Sequence, residues 1–191
     1  VLFRSTATES VSQGDVITAT TTRRTATGWD ITSEFSLAYS AAASTELTAS
    51  KSVSVFDPFG QGLYALPGND IISSLTVTNP GFGAADADSI VLIDAVPPEM
   101  AFYNGDMDDS GPATDPVYFV QTNGANLTWT YATDARFSNS PTRPANMAGC
   151  TYNPSSGYDP NVTFVCFNPK GAMAAGDPDP NFTVQFRARI K

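Results

Sequence analysis

The run from Phe182 to Ile190 alternates so regularly that it constrains the whole chain. Phe182, Val184, Phe186, Ala188 and Ile190 fall on one face of an extended strand, and Thr183, Gln185, Arg187 and Arg189 on the other. A slip of one residue would turn both arginines into the core, so the register is strongly specified and one face must be covered by a second layer. The chain stops at Lys191, directly after this strand, which reads as a domain boundary.

The remainder of the chain is compatible only with short strands. The 14 Gly and 14 Pro are scattered almost evenly and leave hardly any window long enough for a helix. Apolar residues make up 41%, enough to fill a core. Strand-like runs recur between turn signals. Leu47, Ala49, Val53 and Val55 share one face, interrupted by Lys51, and the run ends at Asp57-Pro58. A turn at Leu66-Pro67-Gly68-Asn69-Asp70 leads into Ile71 to Thr78, where Ile71, Leu75 and Val77 share a face. Ser89 to Asp94 is a continuous apolar run suited to a central strand buried on both sides, stopped by Val96-Pro97-Pro98. Further strands are predicted at 117–120, 127–131 and 162–167. Together these predict an all-β, immunoglobulin-like β-sandwich over residues 46–191.

Residues 6–45 are different: rich in Thr, Ser and Ala, with strand-like runs at Val16 to Thr22 and Phe35 to Tyr39 but a thin apolar content. They read as an N-terminal strand-forming arm, or as the end of a preceding repeat. Residues 1–5, Val1-Leu2-Phe3-Arg4-Ser5, read like the translation of a sequencing-library adapter joined to an interrupted gene, so the lack of a signal peptide carries no weight.

The chain from Lys51 onward resembles the bacterial conserved-repeat surface domain, catalogued as domain of unknown function eleven. The residues that carry the likeness are Lys51 to Val55, Pro67-Gly68 ahead of Leu75-Thr76-Val77-Thr78-Asn79-Pro80-Gly81, Asp86 to Ser89, Val91 to Asp94, and Val96-Pro97. In that family a strand ending in a T-N-x-G turn is followed by one ending in D-x-x-P, and both occur here in order. The resemblance implies an immunoglobulin-like fold and a place in secreted or cell-surface bacterial proteins, often in tandem copies. It does not imply an activity.

Charge and composition exclude several function classes. With 10 basic and 19 acidic residues the net charge is -9, which repels nucleic acid phosphates and anionic membrane surfaces. No apolar stretch is long enough to span a bilayer. There is no histidine, which removes the usual Ser-His and Cys-His nucleophile pairs and the commonest transition-metal ligand, so the chain is read as non-enzymatic. Cys150 and Cys166 form either a disulfide, in an oxidising compartment, or two unlinked buried thiols.

The candidate sites are few. Asp106, Asp108, Asp109 and Asp115, with Asp86 and Asp88 separately, supply the oxygen ligands that calcium takes, or else form solvated turns; calcium is the one cofactor considered. Trp29, Tyr103, Tyr118, Phe119, Trp129 and Tyr131 form either a sugar-stacking platform or part of the core. Asn-X-Ser/Thr triplets at Asn126, Asn161 and Asn181 are of a kind that Thr-rich strands produce by chance.

The expected function is that of a structural subunit of an extracellular bacterial filament or surface assembly, joined head to tail to copies of itself by β-strand addition. The arm residues Val16, Ile17, Ala19, Thr20 and Thr22 are the expected donor strand, with Arg23 and Arg24 as a polar stop. The alternatives are a stalk or adhesin repeat packed against neighbouring surface domains, or a carbohydrate-binding module.

Overall fold

A computed structural model describes residues 16–25, 28–38, 45–109 and 114–191, the first two segments by their backbone alone. The chain divides into two compact units, Val1–Ala43 and Ser44–Lys191. The first contains an antiparallel hairpin of β1 (Val16–Thr25) and β2 (Gly28–Ala38). Its pairing runs from Val16 opposite Ala38 to Thr25 opposite Gly28, with one irregularity between Thr21 and Thr22. The expected arm residues therefore do form a strand, as part of a hairpin; their side chains lie outside the described ones.

The second unit is all-β apart from one short helix and one 3-10 turn at Met147–Gly149. Its strands are β3 (Thr48–Val55), β4 (Asp70–Thr78), β5 (Leu92–Ala95), β6 (Met100–Asn104) and β7 (Val117–Thr122). They are followed by α1 (Tyr131–Asp134), β8 (Ala135–Ser138), β9 (Gly157–Asp159), β10 (Phe164–Phe167) and β11 (Asn181–Ile190). Two antiparallel sheets result. One has the order β3-β4-β11-β6-β9, with β7 also on β11; the other is β5-β10-β8.

β11 organises the larger sheet. It pairs with β4 from Asn181 to Arg189, and on its other side with β7 as far as Phe186 and then with β6 from Ala188. The alternation read from the sequence holds: Phe182, Val184, Phe186 and Ala188 are buried. Phe182, Val184 and Phe186 share one core cluster with Val165 and Phe167 of β10 and Ala135 and Phe137 of β8, so the core lies between the sheets. Aromatic rings bridge the layers, with centroids of Phe102 and Phe137 4.8 Å apart and of Phe167 and Phe186 6.2 Å apart. Cys150 and Cys166 are joined, which ties the 3-10 turn to the outer face of β10.

Two sequence expectations need correction. The apolar run at 89–94 is not a central strand, because β5 begins only at Leu92 and forms the edge of the three-stranded sheet. Its preceding residues are held by a side chain instead of a strand: Asn168 Nδ2 donates to the carbonyls of Asp88 and Ile90 at 3.0 and 2.7 Å. The alternation of Leu127, Trp129 and Tyr131 is likewise not a strand. Thr128 makes a single bridge to Lys170, and the chain then turns into α1, where Asp134 Oδ2 accepts from the Thr130 amide at 2.8 Å.

The disulfide closes a loop with a sequence separation of 16. Replacing Cys150 and Cys166 together by Ala is expected to lower the unfolding free energy by about 3 kcal/mol, measured by urea denaturation. A loss below about 0.5 kcal/mol would show that the loop is held by other contacts.

Candidate functional site

Two places in the second unit concentrate features that sequence alone does not assemble: a buried charge cluster on the outer face of the large sheet, and a cleft between the two sheets. The cluster begins with Arg187 and Arg189, which alternation places on the outward phase of β11. That phase is not simply solvated, since Arg187 is only 7% exposed. The Phe56 and Tyr103 rings cover its guanidinium, with centroids 3.9 and 4.4 Å from Cζ.

Asp70, opposite Arg189 on β4, satisfies both cations. Its carboxylate accepts from Arg187 Nε at 2.5 Å, Arg189 Nε at 2.7 Å and the Tyr158 hydroxyl at 2.6 Å. Arg189 stacks on Tyr158 at 3.8 Å, and Arg187 Nη1 reaches Asp109 at 2.8 Å. Burial pushes the Asp70 carboxyl up, but the hydrogen bonds from Arg189, Tyr158 and Arg187 outweigh it and hold it below the usual carboxylate range. Asp159, also buried, behaves alike: burial raises it, and the Ser155 and Asn161 amides and the Tyr152 hydroxyl, all within 2.8 Å, lower it further. No buried side-chain nitrogen or oxygen among the described residues lacks a hydrogen-bond partner, and the cluster clamps β4, β9 and β11 together.

The sequence-predicted candidates are distributed around this frame. Asp109 is turned to Arg187, Asp106 accepts from the Asp108 amide at 3.3 Å, and the Asp115 carbonyl accepts from the Met107 amide at 3.3 Å. Asp88 Oδ1 accepts from the Gly171 amide at 2.8 Å. Among the described residues no three His, Cys, Asp or Glu side chains converge as a metal site would require. Trp129 stacks on Phe119 at 5.2 Å and meets Phe167 edge-on, and Tyr131 leans on Phe137. Tyr103 meets Tyr158 at a tilt, with ring centroids 4.7 Å apart. Of the candidate platform, Tyr118 is the one exposed ring among the described residues, and the Trp29 side chain lies outside them. A polar cleft of about 340 Å³ is lined by Asn104, Tyr131, Arg136 and Tyr152. Burial, then the charge of Asp115, pushes the Tyr131 hydroxyl up to about 12, so it stays protonated.

The inter-sheet cleft is built from edges. β3 ends one sheet and β5 ends the other, and neither has an outer strand partner among the described residues. On β4 the inward phase, Ile71, Ser73, Leu75 and Val77, is buried. Its partners on β3, Val55, Val53, Lys51 and Ala49, continue that phase beyond the reach of the three-stranded sheet. As a result β3 is exposed from Thr48 to Ser54, and Val53 is 56% exposed although it faces inward. Lys51 Nζ crosses the gap to Asp94 Oδ2 of β5 at 2.5 Å. The cleft of about 250 Å³ is lined by Ala49, Lys51, Leu75, Val77, Leu92 and Asp94, with Arg143 at its mouth.

Replacing Asp70 by Asn removes the more buried of the two carboxylates paired with Arg187 and is expected to cost about 3–5 kcal/mol in denaturant unfolding at neutral pH. Because the Asp70 and Asp159 carboxyls are depressed, their stabilisation is complete above the ordinary range near pH 4 and is lost as pH falls through the native values. The acid limb of the unfolding free energy is therefore steep in the wild type and shallower in D70N; identical limbs would contradict the clamp. No protein-family model, no curated protein and no solved structure matches the chain, so the likeness to the conserved-repeat surface domain rests on the residues quoted for it.

Proposed function

We propose that this chain is a structural subunit of an extracellular bacterial filament or surface assembly, joined to its neighbours by β-strand addition. The observation that carries the reading is β3: an outermost strand with an open edge, exposed along nearly its whole length, whose inward phase is uncovered. An edge strand of this kind presents unpaired N–H and C=O groups, a template that soluble proteins otherwise blunt with charge, Pro or a covering element. Here the eight-residue strand carries a single charge, Lys51, already paired with Asp94.

Other features support the same reading. The disulfide suits an oxidising compartment, and the resemblance supplies a bacterial cell-surface setting. The charge cluster ties β4, β9 and β11 together through Asp70, Tyr158, Arg187 and Arg189, as a subunit held in a polymer would need. The β1–β2 hairpin adds a second set of open edges, and two-stranded hairpins are marginal in water unless they join a larger sheet. No helix among the described residues is long and apolar enough to cross a membrane.

Val53→Lys tests the proposal, since a lysine on an edge strand opposes pairing and Val53 is too exposed to matter for the core. The full chain is expected to form multimers visible by analytical ultracentrifugation and electron microscopy. V53K is expected to sediment as single chains while its unfolding free energy stays within about 0.5 kcal/mol of the wild type. A wild type that remains a single chain at high concentration, or a V53K protein that assembles unchanged, would overturn the reading.

A further inference from the structure

We infer that the cleft between β3 and β5 is the acceptor of this assembly and that its occupant is strand β2 of a second copy, not β1; the inference rests on the strand-addition reading. The smaller sheet stops at β5, and the larger one continues for one more strand, β3, whose inward phase is exposed from Ala49 to Val53 and meets β5 through the Lys51–Asp94 pair. A strand entering between the open edges of β3 and β5 would pair with them and lie across Ala49, Leu75 and Val77. Such a strand needs apolar residues at alternate positions, because only one of its faces turns toward the cleft.

The two hairpin strands differ in this respect. β2 has Phe35 and Leu37 in one phase and Trp29 and Ile31 in the other, because the irregularity opposite Thr21 and Thr22 makes Thr32 an extra residue, so each phase carries a pair of large apolar residues. β1, whose run Val16 to Thr22 is the simpler reading of the sequence, offers only Ile17 and Ala19 in one phase and Val16 in the other, the rest being Thr and Arg. Charge selects the same strand. Lys51 and Arg143 border the cleft against one acid, Asp94, and Arg143 has no ionic partner among the described residues. β2 carries Asp30 and Glu34 and no cation, whereas β1 carries Arg23 and Arg24 and no acid. Donor and acceptor then belong to different units of each chain, a heterologous contact of the kind that builds rings or open filaments.

Two variants separate the halves of the contact. Ala49→Lys places a charged side chain in the acceptor cleft at an exposed position, and Phe35→Asp removes an apolar anchor from the donor strand. Each alone is expected to sediment as a single chain. Mixed in equal amounts they are expected to give two-chain species and nothing larger, because the intact donor of A49K meets the intact cleft of F35D while the other pair is dead. A peptide of residues 28–38 added to the wild type is expected to shorten the multimers at least tenfold, and the same peptide carrying F35D to leave them unchanged; this arm does not depend on the hairpin tolerating the substitution. Loss of assembly in V53K with full assembly in F35D and no effect of the peptide would overturn the donor assignment and leave strand addition standing. Loss in V53K with full assembly in A49K would place the contact elsewhere on β3, and a wild type that stays single would overturn both.

Discussion

Everything in the second unit depends on β11 holding one register between β4 on one side and β7 and β6 on the other. Its inward phase supplies Phe182, Val184, Phe186 and Ala188 to the core, and its outward phase supplies Thr183, Gln185, Arg187 and Arg189 to a ladder of polar contacts. The two halves of that ladder differ in kind. Thr183 and Gln185 meet Thr76 and Ser74 of β4 through neutral hydrogen bonds at 2.8 Å, whereas Arg187 and Arg189 converge on the buried carboxylate of Asp70. A register slip would cost both the hydrophobic phase and the charge compensation, which is why one strand can orient the sheet.

Much of this was legible in the sequence because period-2 alternation survives wherever a strand has one covered face. β10 falls within a predicted run, β4, β7 and β11 overlap theirs and extend them by one or two residues, and of the two readings of Cys150 and Cys166 the disulfide is formed. The misreadings have a common physical cause: apolar spacing reports which residues are inside, not which backbone groups are paired. Ile90 is buried, yet its carbonyl is satisfied by the Asn168 side chain, so the run before Leu92 never becomes a strand. Leu127 and Trp129 serve the core from an irregular segment that ends in α1. The Asp70 cluster was invisible for another reason. Asp70 and Arg187 lie 117 positions apart, and the burial of Arg187 depends on Phe56 and Tyr103 arriving from two further elements.

The asymmetry between the sheets links architecture to the proposed role. With one sheet longer than the other, the sandwich stays open along β3 and β5, where the Lys51–Asp94 pair crosses the gap. A half-exposed ion pair of this kind contributes about 1 kcal/mol or less, so it would yield readily to an incoming strand that adds main-chain hydrogen bonds and covers Ala49 and Val53. In the proposed subunit, the hydrogen-bonded clamp at Asp70 would fix the large sheet while the open flank at β3 receives a neighbour.

Amide hydrogen exchange of β3 and β5, followed from dilute to concentrated wild-type protein, reads this claim most directly. The account predicts that the amides of Thr48–Val55 and Leu92–Ala95 gain protection with concentration while those of β11 are protected throughout. Exchange at β3 and β5 that does not change while multimers form would place the contact elsewhere and contradict the account.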